Sequence, residues 1–270
     1  MRTSYIHYVR RRIIDVQNSD DETARFSEEQ FGSAGFERPV FHKTFATSGP
    51  TARVKEGDII WIISRLTRGR QSLPVSLDAR IIVEKVEKVI KDGRCEGHRF
   101  IAGKKSRWFP LCNAETTLRL LETANGKGEV TKLWPATIQK IGTVTQQMRQ
   151  LQSDHPLREL EQSIVKDGYD FVSYRQCDGT ASAFDYVQSR LTSGGIVWWD
   201  RWSLPRRLAE RREEVSTEAL DGRITSAIQD AKRVQGIWSP RYEDVKSYSM
   251  LELSLAENLQ KFEFVIPVSF

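Results

Sequence analysis

Short apolar runs alternate with helical patterns in the C-terminal part of the chain. Four runs have the length of a strand and lie at 169–174, 195–199, 234–238 and 262–268. Between them, apolar residues recur three and four positions apart at Phe184, Val187 and Leu191, and again at Leu220, Ile224, Ala227, Ile228 and Ala231. Strands that alternate with helices predict a parallel sheet flanked by helices, which is an α/β fold.

Polar residues follow two of these predicted strands. Ser173, Tyr174 and Arg175 come at the end of the first strand, and Asp200 comes at the end of the second. Ligands of open α/β sheets bind at the carboxyl ends of the strands. We therefore expect these four side chains at the ligand-binding edge of the sheet.

The N-terminal part has a pattern typical of a mixed β-barrel-like (α+β) domain. Residues 17–50 are rich in Ser, Asp, Glu and Gly, and predict loops around one short strand at 39–41. An apolar run at 59–64 and a second at 77–86 predict two buried strands. Asn113 is placed to cap a short helix.

A stripe of apolar residues precedes the C-terminal pattern. It predicts an amphipathic helix through Ile138, Ile141, Val144, Met148 and Leu151. The stripe either packs on its own domain or forms a dimer seam. A second short helix, carrying Leu157, Leu160 and Ile164, follows Pro156 and ends at Gly168. We place the domain boundary here, which gives an N-terminal domain at 1–152, a linker helix at 153–167 and an α/β domain at 168–270.

Composition and charge narrow the range of partners. The 270 residues suggest about two domains, and no apolar run approaches the roughly 20 residues of a membrane span. Residues 1–154 carry 26 Lys and Arg against 18 Asp and Glu, whereas residues 155–270 carry 15 against 18. The basic N-terminal part favours an anionic partner such as a nucleotide or nucleic acid, or is simply a solvated surface.

Cysteine and histidine usage predicts neither a disulfide framework nor a metal site. The three cysteines are odd in number and have no metal or redox spacing, and the four histidines are scattered singly. The first residues lack the apolar core of a signal peptide. We therefore expect a protein of the reducing cytoplasm, without a metal and without a membrane partner.

The N-terminal part resembles PUA/EVE-like barrels, which bind RNA or modified bases. The resemblance is carried by Gly57-Asp58 before one predicted strand, and by Leu77-Asp78-Ala79-Arg80 at the next. It implies a ligand pocket whose candidate residues are Trp61, Arg65, Arg107 and Trp108. Aromatic faces stack on bases and arginines meet phosphates. The alternative is that Trp61 is a core residue.

The C-terminal part resembles the Toll/interleukin receptor (TIR) domain, in the style of bacterial members that cleave NAD+. The matching segments, in order, are the strand ending in Ser173-Tyr174-Arg175, then Trp199-Asp200 with a long charged loop, Ser239-Pro240-x-Tyr242, and a helix that carries Glu252. The resemblance implies a flavodoxin-like parallel sheet over about residues 168–270. It also implies that Glu252 is the catalytic acid.

The spacing around Glu252 agrees with a site on the helix. Tyr248, Glu252, Leu255 and Leu259 are four, three and four positions apart, which predicts one inward face. A partly buried carboxylate costs free energy unless it has a partner or a function. The alternative is an acid at the edge of the stripe that reaches water or pairs with an arginine.

One acid is enough for cleavage of NAD+. Nicotinamide leaves as a neutral base from a cationic pyridinium, so no acid has to protonate it, in contrast to the leaving oxygen of a glycoside. A carboxylate stabilises the remaining oxocarbenium-like centre electrostatically and holds the ribose hydroxyls. NAD+ is then a substrate, and no cofactor is expected.

The resemblance also implies a set of substrate-binding residues: Phe171, Ser173, Tyr174, Arg175, Asp200, Trp202 and Tyr248. The resemblance implies that Tyr174 or Trp202 stacks on a ring of NAD+ and that Arg175 contacts a phosphate of NAD+. The family acid lies four residues after a Trp and three after a Cys, whereas Tyr248 and Ser249 stand at those places here. Family members also continue with a further strand and helix beyond the point that matches Phe270.

The leading hypothesis is an NAD+ nucleosidase, a hydrolase that signals in antiviral (antiphage) defence. The N-terminal domain senses a ligand, the TIR-like domains assemble into an oligomer, and NAD+ is cleaved by hydrolysis or by ADP-ribose cyclisation. Two alternatives remain. One is a non-enzymatic TIR scaffold that acts by self-association. The other is a nucleic-acid-binding protein whose TIR-like domain only oligomerises.

Overall fold

A computed structural model of the chain describes residues 2–14, 25–26, 38–124, 129–135, 137, 140–175, 178–199, 217–243 and 248–266. Over these residues the chain is an α/β protein. The N-terminal part forms one mixed sheet, and the C-terminal part forms a separate four-stranded parallel sheet. None of the described helices is long and apolar enough to cross a membrane.

The described N-terminal part contributes eleven strands to the mixed sheet. They are β1 (Ser4–Ile14), β2 (Arg25–Phe26), β3 (Phe41–Thr44), β4 (Ile59–Arg68), β5 (Gln71–Ser72), β6 (Ser76–Lys91), β7 (Arg94–Ala102), β8 (Arg107–Trp108), β9 (Glu122–Ala124), β10 (Val130–Lys132) and β11 (Arg149–Leu151). The main order is β10-β9-β11-β1-β4-β6-β7-β3. β1 and β4 run parallel, and the other pairs are antiparallel. Short helices lie at Thr51–Arg53 (3₁₀) and Glu115–Arg119 (α1).

The strand β4 is the centre of this sheet because it is apolar on both faces. Its alternate residues enter two different core clusters, with Trp61 in one and Ile60 and Ile62 in the other. This burial confirms the strand predicted at 59–64, and β6 confirms the strand predicted at 77–86. The short strand predicted at 39–41 instead begins at Phe41.

The Asp58 carboxylate stabilises the Gly57-Asp58 turn that precedes β4. Gly57 has φ +86°, a conformation that favours glycine. Asp58 accepts hydrogen bonds from the backbone N–H of Thr3 and of Lys55, both at 2.9 Å. These bonds fix the chain where β1 and β4 start side by side.

The single amphipathic helix predicted over 138–151 is wrong. A helix, α2, spans only Ile141–Thr145, and the chain then enters β11. β11 pairs with β1, with Tyr5 opposite Gln150, and so occupies the free backbone groups of that strand. Met148 lies just before β11 and Leu151 ends it; both are buried, and they enter different core clusters.

The helix α3, His155–Asp167, confirms the second short helix and its end at Gly168. Its Leu157 and Ile164 pack in the same core cluster as Trp61, whose indole N–H donates to Asp154 at 3.2 Å. The segment at 153–167 therefore lies against the mixed sheet.

The second sheet contains β12 (Asp170–Tyr174), β13 (Val197–Trp199), β14 (Arg233–Ile237) and β15 (Phe262–Val265). All are parallel, in the order β13-β12-β14-β15. The described helices between them are α4 (Thr180–Thr192), α5 (Thr217–Asp230) and α6 (Tyr248–Asn258). From one edge of the sheet to the other, the strands are the second, first, third and fourth in chain order, which is compatible with a flavodoxin-like arrangement. The predicted strands and helices of this part are confirmed, except that residues 267–268 of the last predicted strand lie outside the described residues.

The two sheets touch through a shared core. Leu111 and Val197 exchange two backbone hydrogen bonds of 2.8 and 2.9 Å. Leu66 and Leu73 from the mixed sheet pack in one cluster with Val172 and other residues of the parallel sheet. Apolar residues of the N-terminal part thus share a core with the C-terminal sheet and with the helix α4.

Candidate active site

The carboxyl ends of β12 and β14 lie side by side where the strand order reverses. β12 pairs with β13 on one side and with β14 on the other. In open α/β sheets, the crevice that binds ligands forms outside the strand ends at this switch point. Ser173, the last residue but one of β12, is in register with Gly236 of β14. By this rule, Ser173 and Gly236 mark the edge of the sheet at which a ligand would bind.

Three polar side chains meet here in one hydrogen-bonded chain. Ser173 Oγ donates to Glu252 Oε2 at 2.5 Å and lies 2.8 Å from the hydroxyl oxygen of Tyr242. A serine hydroxyl has one proton, so a serine that donates to Glu252 can only accept from Tyr242. The donor chain therefore runs from Tyr242 through Ser173 to Glu252, and it fixes one oxygen of the carboxylate.

All three side chains are buried. Ser173 and Tyr242 are 0% exposed, and Glu252 is 9% exposed. Burial raises the pKa of the Tyr242 phenol above its usual range, the hydrogen bond to Ser173 lowers it in part, and the nearby Glu252 charge raises it again. The phenol therefore keeps its proton at neutral pH and stays a donor.

The buried face of α6 differs from the predicted one. The predicted stripe was Tyr248, Glu252, Leu255 and Leu259, but Leu259 lies beyond the helix end and is 38% exposed. The residues of α6 that are described as buried are Ser249, Glu252, Leu253 and Ala256, at spacings of three, one and three. Glu252 is thus inward, as predicted, on a face turned toward Ser249.

The turn that carries Tyr242 is held at both ends. Asp178 accepts from Ser239 Oγ at 2.8 Å and from the backbone N–H of Arg241 at 3.0 Å. Ser249 Oγ on α6 donates to the carbonyl of Tyr242 at 2.8 Å. The Ser239-Pro240-x-Tyr242 motif is therefore the segment that positions the phenol. The motif is visible in the sequence, but neither Tyr242 nor Asp178 was predicted as a site residue.

Gly236 leaves the room that this arrangement needs. A Cβ at this position would overlap the ring of Phe262 and would lie 3.1 Å from the Tyr242 hydroxyl. We expect Gly236→Ala to lower the free energy of unfolding by about 1–3 kcal/mol, because the added methyl overpacks the core. Thermal or urea unfolding measures this change.

The control for Gly236→Ala is Gly222→Ala. Gly222 lies exposed in α5, and nothing stands within 4 Å of a Cβ there. Alanine is favoured over glycine in a helix by up to about 1 kcal/mol, so this variant should be as stable as the wild type or more stable. Equal stability of the two variants would contradict the crowding at Gly236.

The other predicted residues of β12 lie in the core or at the strand end. Phe171 is fully buried and stacks on Trp198 with ring centroids 4.6 Å apart. Tyr174 is 6% exposed and packs against Trp199 at 6.0 Å. Arg175 is half-buried directly after the strand. The structure therefore brings Ser173 and Glu252 together, and places Phe171 inside the sheet packing.

Three predicted site residues are not described in full. Asp200 and Trp202 lie outside the described residues, as does the rest of the charged loop up to 216. The backbone of Tyr248 begins α6, one turn before Glu252. The roles of these three residues stay predictions.

The four N-terminal candidates do not form one pocket. Trp61 is fully buried in one core cluster, and Trp108 packs on another. Arg65 donates to the carbonyl of Leu73 at 3.2 Å, and Arg107 pairs with Glu161 at 3.2 Å. Trp61 is thus a core residue, as in the alternative interpretation, and Arg107 lines a cleft.

No protein-family model matches the chain, and neither a curated protein nor a solved structure matches it. Within the described residues, no group of three or more His, Cys, Asp or Glu is placed to hold a metal ion.

Proposed function

We propose that the C-terminal sheet is a TIR-type NAD+ glycohydrolase with Glu252 as its catalytic acid. The observation that carries the proposal is the hydrogen bond of 2.5 Å between Ser173 and Glu252 at the switch point of a parallel sheet. Buried carboxylates at ligand crevices are frequent functional groups, because burial is costly unless the charge is used.

The reaction breaks the bond between nicotinamide and ribose. Nicotinamide leaves as a neutral base, and positive charge develops on the ribose carbon and ring oxygen. The Glu252 carboxylate stabilises this charge as an anion that is already oriented before the reaction. Ser173 binds Oε2 and Tyr242 binds Ser173, so the carboxylate does not have to reorganise as the charge forms.

The products are nicotinamide and ADP-ribose when water captures the ribosyl cation. Capture by the adenine base would give cyclic ADP-ribose instead. In this proposal a ligand of the basic N-terminal part triggers assembly of the C-terminal sheets, and cleavage of NAD+ in the cytoplasm serves antiphage defence.

The test is nicotinamide release by the purified full chain. Chromatography should detect nicotinamide from NAD+, and the rate per molecule should rise with protein concentration or with a crowding agent. Absence of nicotinamide under every assembly condition would overturn the enzymatic proposal.

Loss of the Ser173 hydroxyl is expected to slow the reaction without unfolding the protein. Ser173→Ala removes the donor to Glu252, and a hydrogen bond to a charged group contributes about 1.5–3 kcal/mol. We expect kcat to fall about tenfold or more, with a smaller change in KM. Ser189→Ala, at an exposed position of α4, is the control. Equal kcat in both variants would contradict the positioning role.

The second candidate function, a non-enzymatic scaffold, is favoured by the edge of the parallel sheet. β15 is the last strand in the order; Phe264 within it is 45% exposed, and Ile266, which follows it, is 72% exposed. Exposed apolar edges favour association with another chain. Light scattering that shows assembly, together with no nicotinamide release, would select this function over the first.

A further inference from the structure

A basic cleft lies on the mixed sheet, between β6, β8 and α3. Its volume is about 400 Å³, within the range of small-ligand sites. It is lined by Arg80, Arg107, Arg158, Glu161, Gln162, Val165 and Lys166. Four of these side chains are cations and only one is an anion, so the cleft has a surplus of positive charge.

Glu161 organises the two arginines of the strands. It is 7% exposed and shares the inward face of α3 with Leu157 and Ile164. Arg80 Nη1 donates to Oε2 at 2.6 Å, and Arg107 Nη1 donates to Oε1 at 3.2 Å. One carboxylate thus aligns two guanidinium groups side by side, yet neutralises only one of their charges.

Part of the positive charge of the cleft is not neutralised within the described residues. Arg80 Nη2 donates to the carbonyl of Lys105 at 3.2 Å, and its Nε is buried without an acceptor among the described residues. Arg158 is held by Asp154 through a hydrogen bond of 2.9 Å to its Nε. The Lys166 side chain is exposed, and its ammonium has no ion-pair or hydrogen-bond partner in the described part of the chain. A dianion would therefore meet more donors than acceptors.

We infer that this cleft binds the phosphate group of a small phosphorylated ligand of up to nucleotide size. Planar guanidinium groups match phosphate oxygens, and the lysine adds a point charge. The cleft is a local concavity with Val165 and Gln162 on its helical side, which suits one compact ligand. This cleft shares no residue with the Ser173–Glu252 site. It identifies small phosphorylated compounds as the class of ligand that the N-terminal part would bind.

The experiment is calorimetric titration of the full chain with inorganic phosphate, AMP and adenosine. We expect saturable binding of phosphate and tighter binding of AMP, weakening as salt rises from low to physiological concentration. Adenosine lacks the phosphate and should not bind. Adenosine binding as tight as AMP binding would overturn the inference.

Charge reversal at Lys166 localises the binding. Lys166→Glu should weaken AMP and phosphate binding about tenfold or more, and Arg107→Ala should weaken both in the same direction. The control is Lys132→Glu, an exposed residue of β10 that does not line the cleft. Wild-type affinity in the Lys166→Glu protein would place any binding elsewhere and overturn the inference.

Two further outcomes are informative. Binding only to long RNA, with a steep salt dependence and no phosphate or AMP signal, would contradict a small-ligand site. The titrations measure the binding of phosphate and AMP, and no NAD+ is present, so their result does not depend on whether the protein cleaves NAD+. A protein that cleaves no NAD+ but binds AMP through Lys166 would therefore refute the proposed enzyme and support the cleft.

Discussion

Replacing Glu252 by Gln is expected to reduce NAD+ cleavage by at least about 10²–10³-fold, the loss typical when one preorganised electrostatic group is removed. Glutamine has nearly the shape of glutamate, and its carbonyl can still accept from Ser173. It lacks the negative charge that stabilises the ribosyl cation. The rate of nicotinamide release should therefore collapse while the fold persists. Release rates and thermal melting of the same preparation measure the two effects separately.

Glu257→Gln is the matched control for this variant. Glu257 lies on the same helix, α6, and is exposed to solvent. The two variants have the same change of charge and differ in which face of the helix carries it. We expect the Glu257→Gln protein to cleave NAD+ at the wild-type rate. Cleavage that is equal in wild type and Glu252→Gln would reject the catalytic assignment.

The parallel sheet was predictable because its strands are short apolar runs separated by helical patterns. The order of the strands and the meeting of Ser173 with Glu252 depend on pairing between segments 79 residues apart. Sequence periodicity does not report such contacts. The sequence did not determine which face of α6 is buried, because apolar residues occur on all sides of this helix. Leu251 is 65% exposed, whereas Leu253 is only 9% exposed.

One wrong prediction and one omission have the same origin in tertiary contacts. The stripe over 138–151 has helical spacing, yet its last residues pair with β1, which offers backbone groups that a helix would leave unpaired. Glu161 had a visible signal, since it stands four residues after Leu157 and three before Ile164 on one helix face. Its partners Arg80 and Arg107 come from distant strands, and no local pattern connects them with it.

A buried acid in the mixed sheet is expected to make the free energy of unfolding depend strongly on pH. Asp78 on β6 is 1% exposed, and Arg11 Nε stands 3.6 Å from its Oδ2, beyond hydrogen-bond distance. Burial raises the pKa of Asp78 to about 7, although Arg11 and the Ser64 hydroxyl lower it in part. The folded protein therefore keeps a proton on Asp78 at pH values at which the unfolded chain has lost it.

The sign of the pH dependence follows from proton binding. Between about pH 4 and pH 7 the folded state binds more protons than the unfolded state, so the contribution of Asp78 to stability falls as pH rises. Asp78→Asn removes this titration and keeps the shape of the side chain. From pH 5 to pH 8 the wild type should lose about 2–3 kcal/mol of unfolding free energy relative to the Asp78→Asn variant.

Urea unfolding of wild type and Asp78→Asn at pH 5, 6, 7 and 8 measures this difference. The difference between the two proteins isolates Asp78, because every other titrating group is common to both. A constant offset, from replacing the carboxyl group by an amide, does not alter the change of this difference with pH. Asp167→Asn, at an exposed position of α3, should instead follow the wild-type curve in parallel. If Asp78→Asn also follows in parallel, then Asp78 is ionised throughout this range and its burial does not hold the proton.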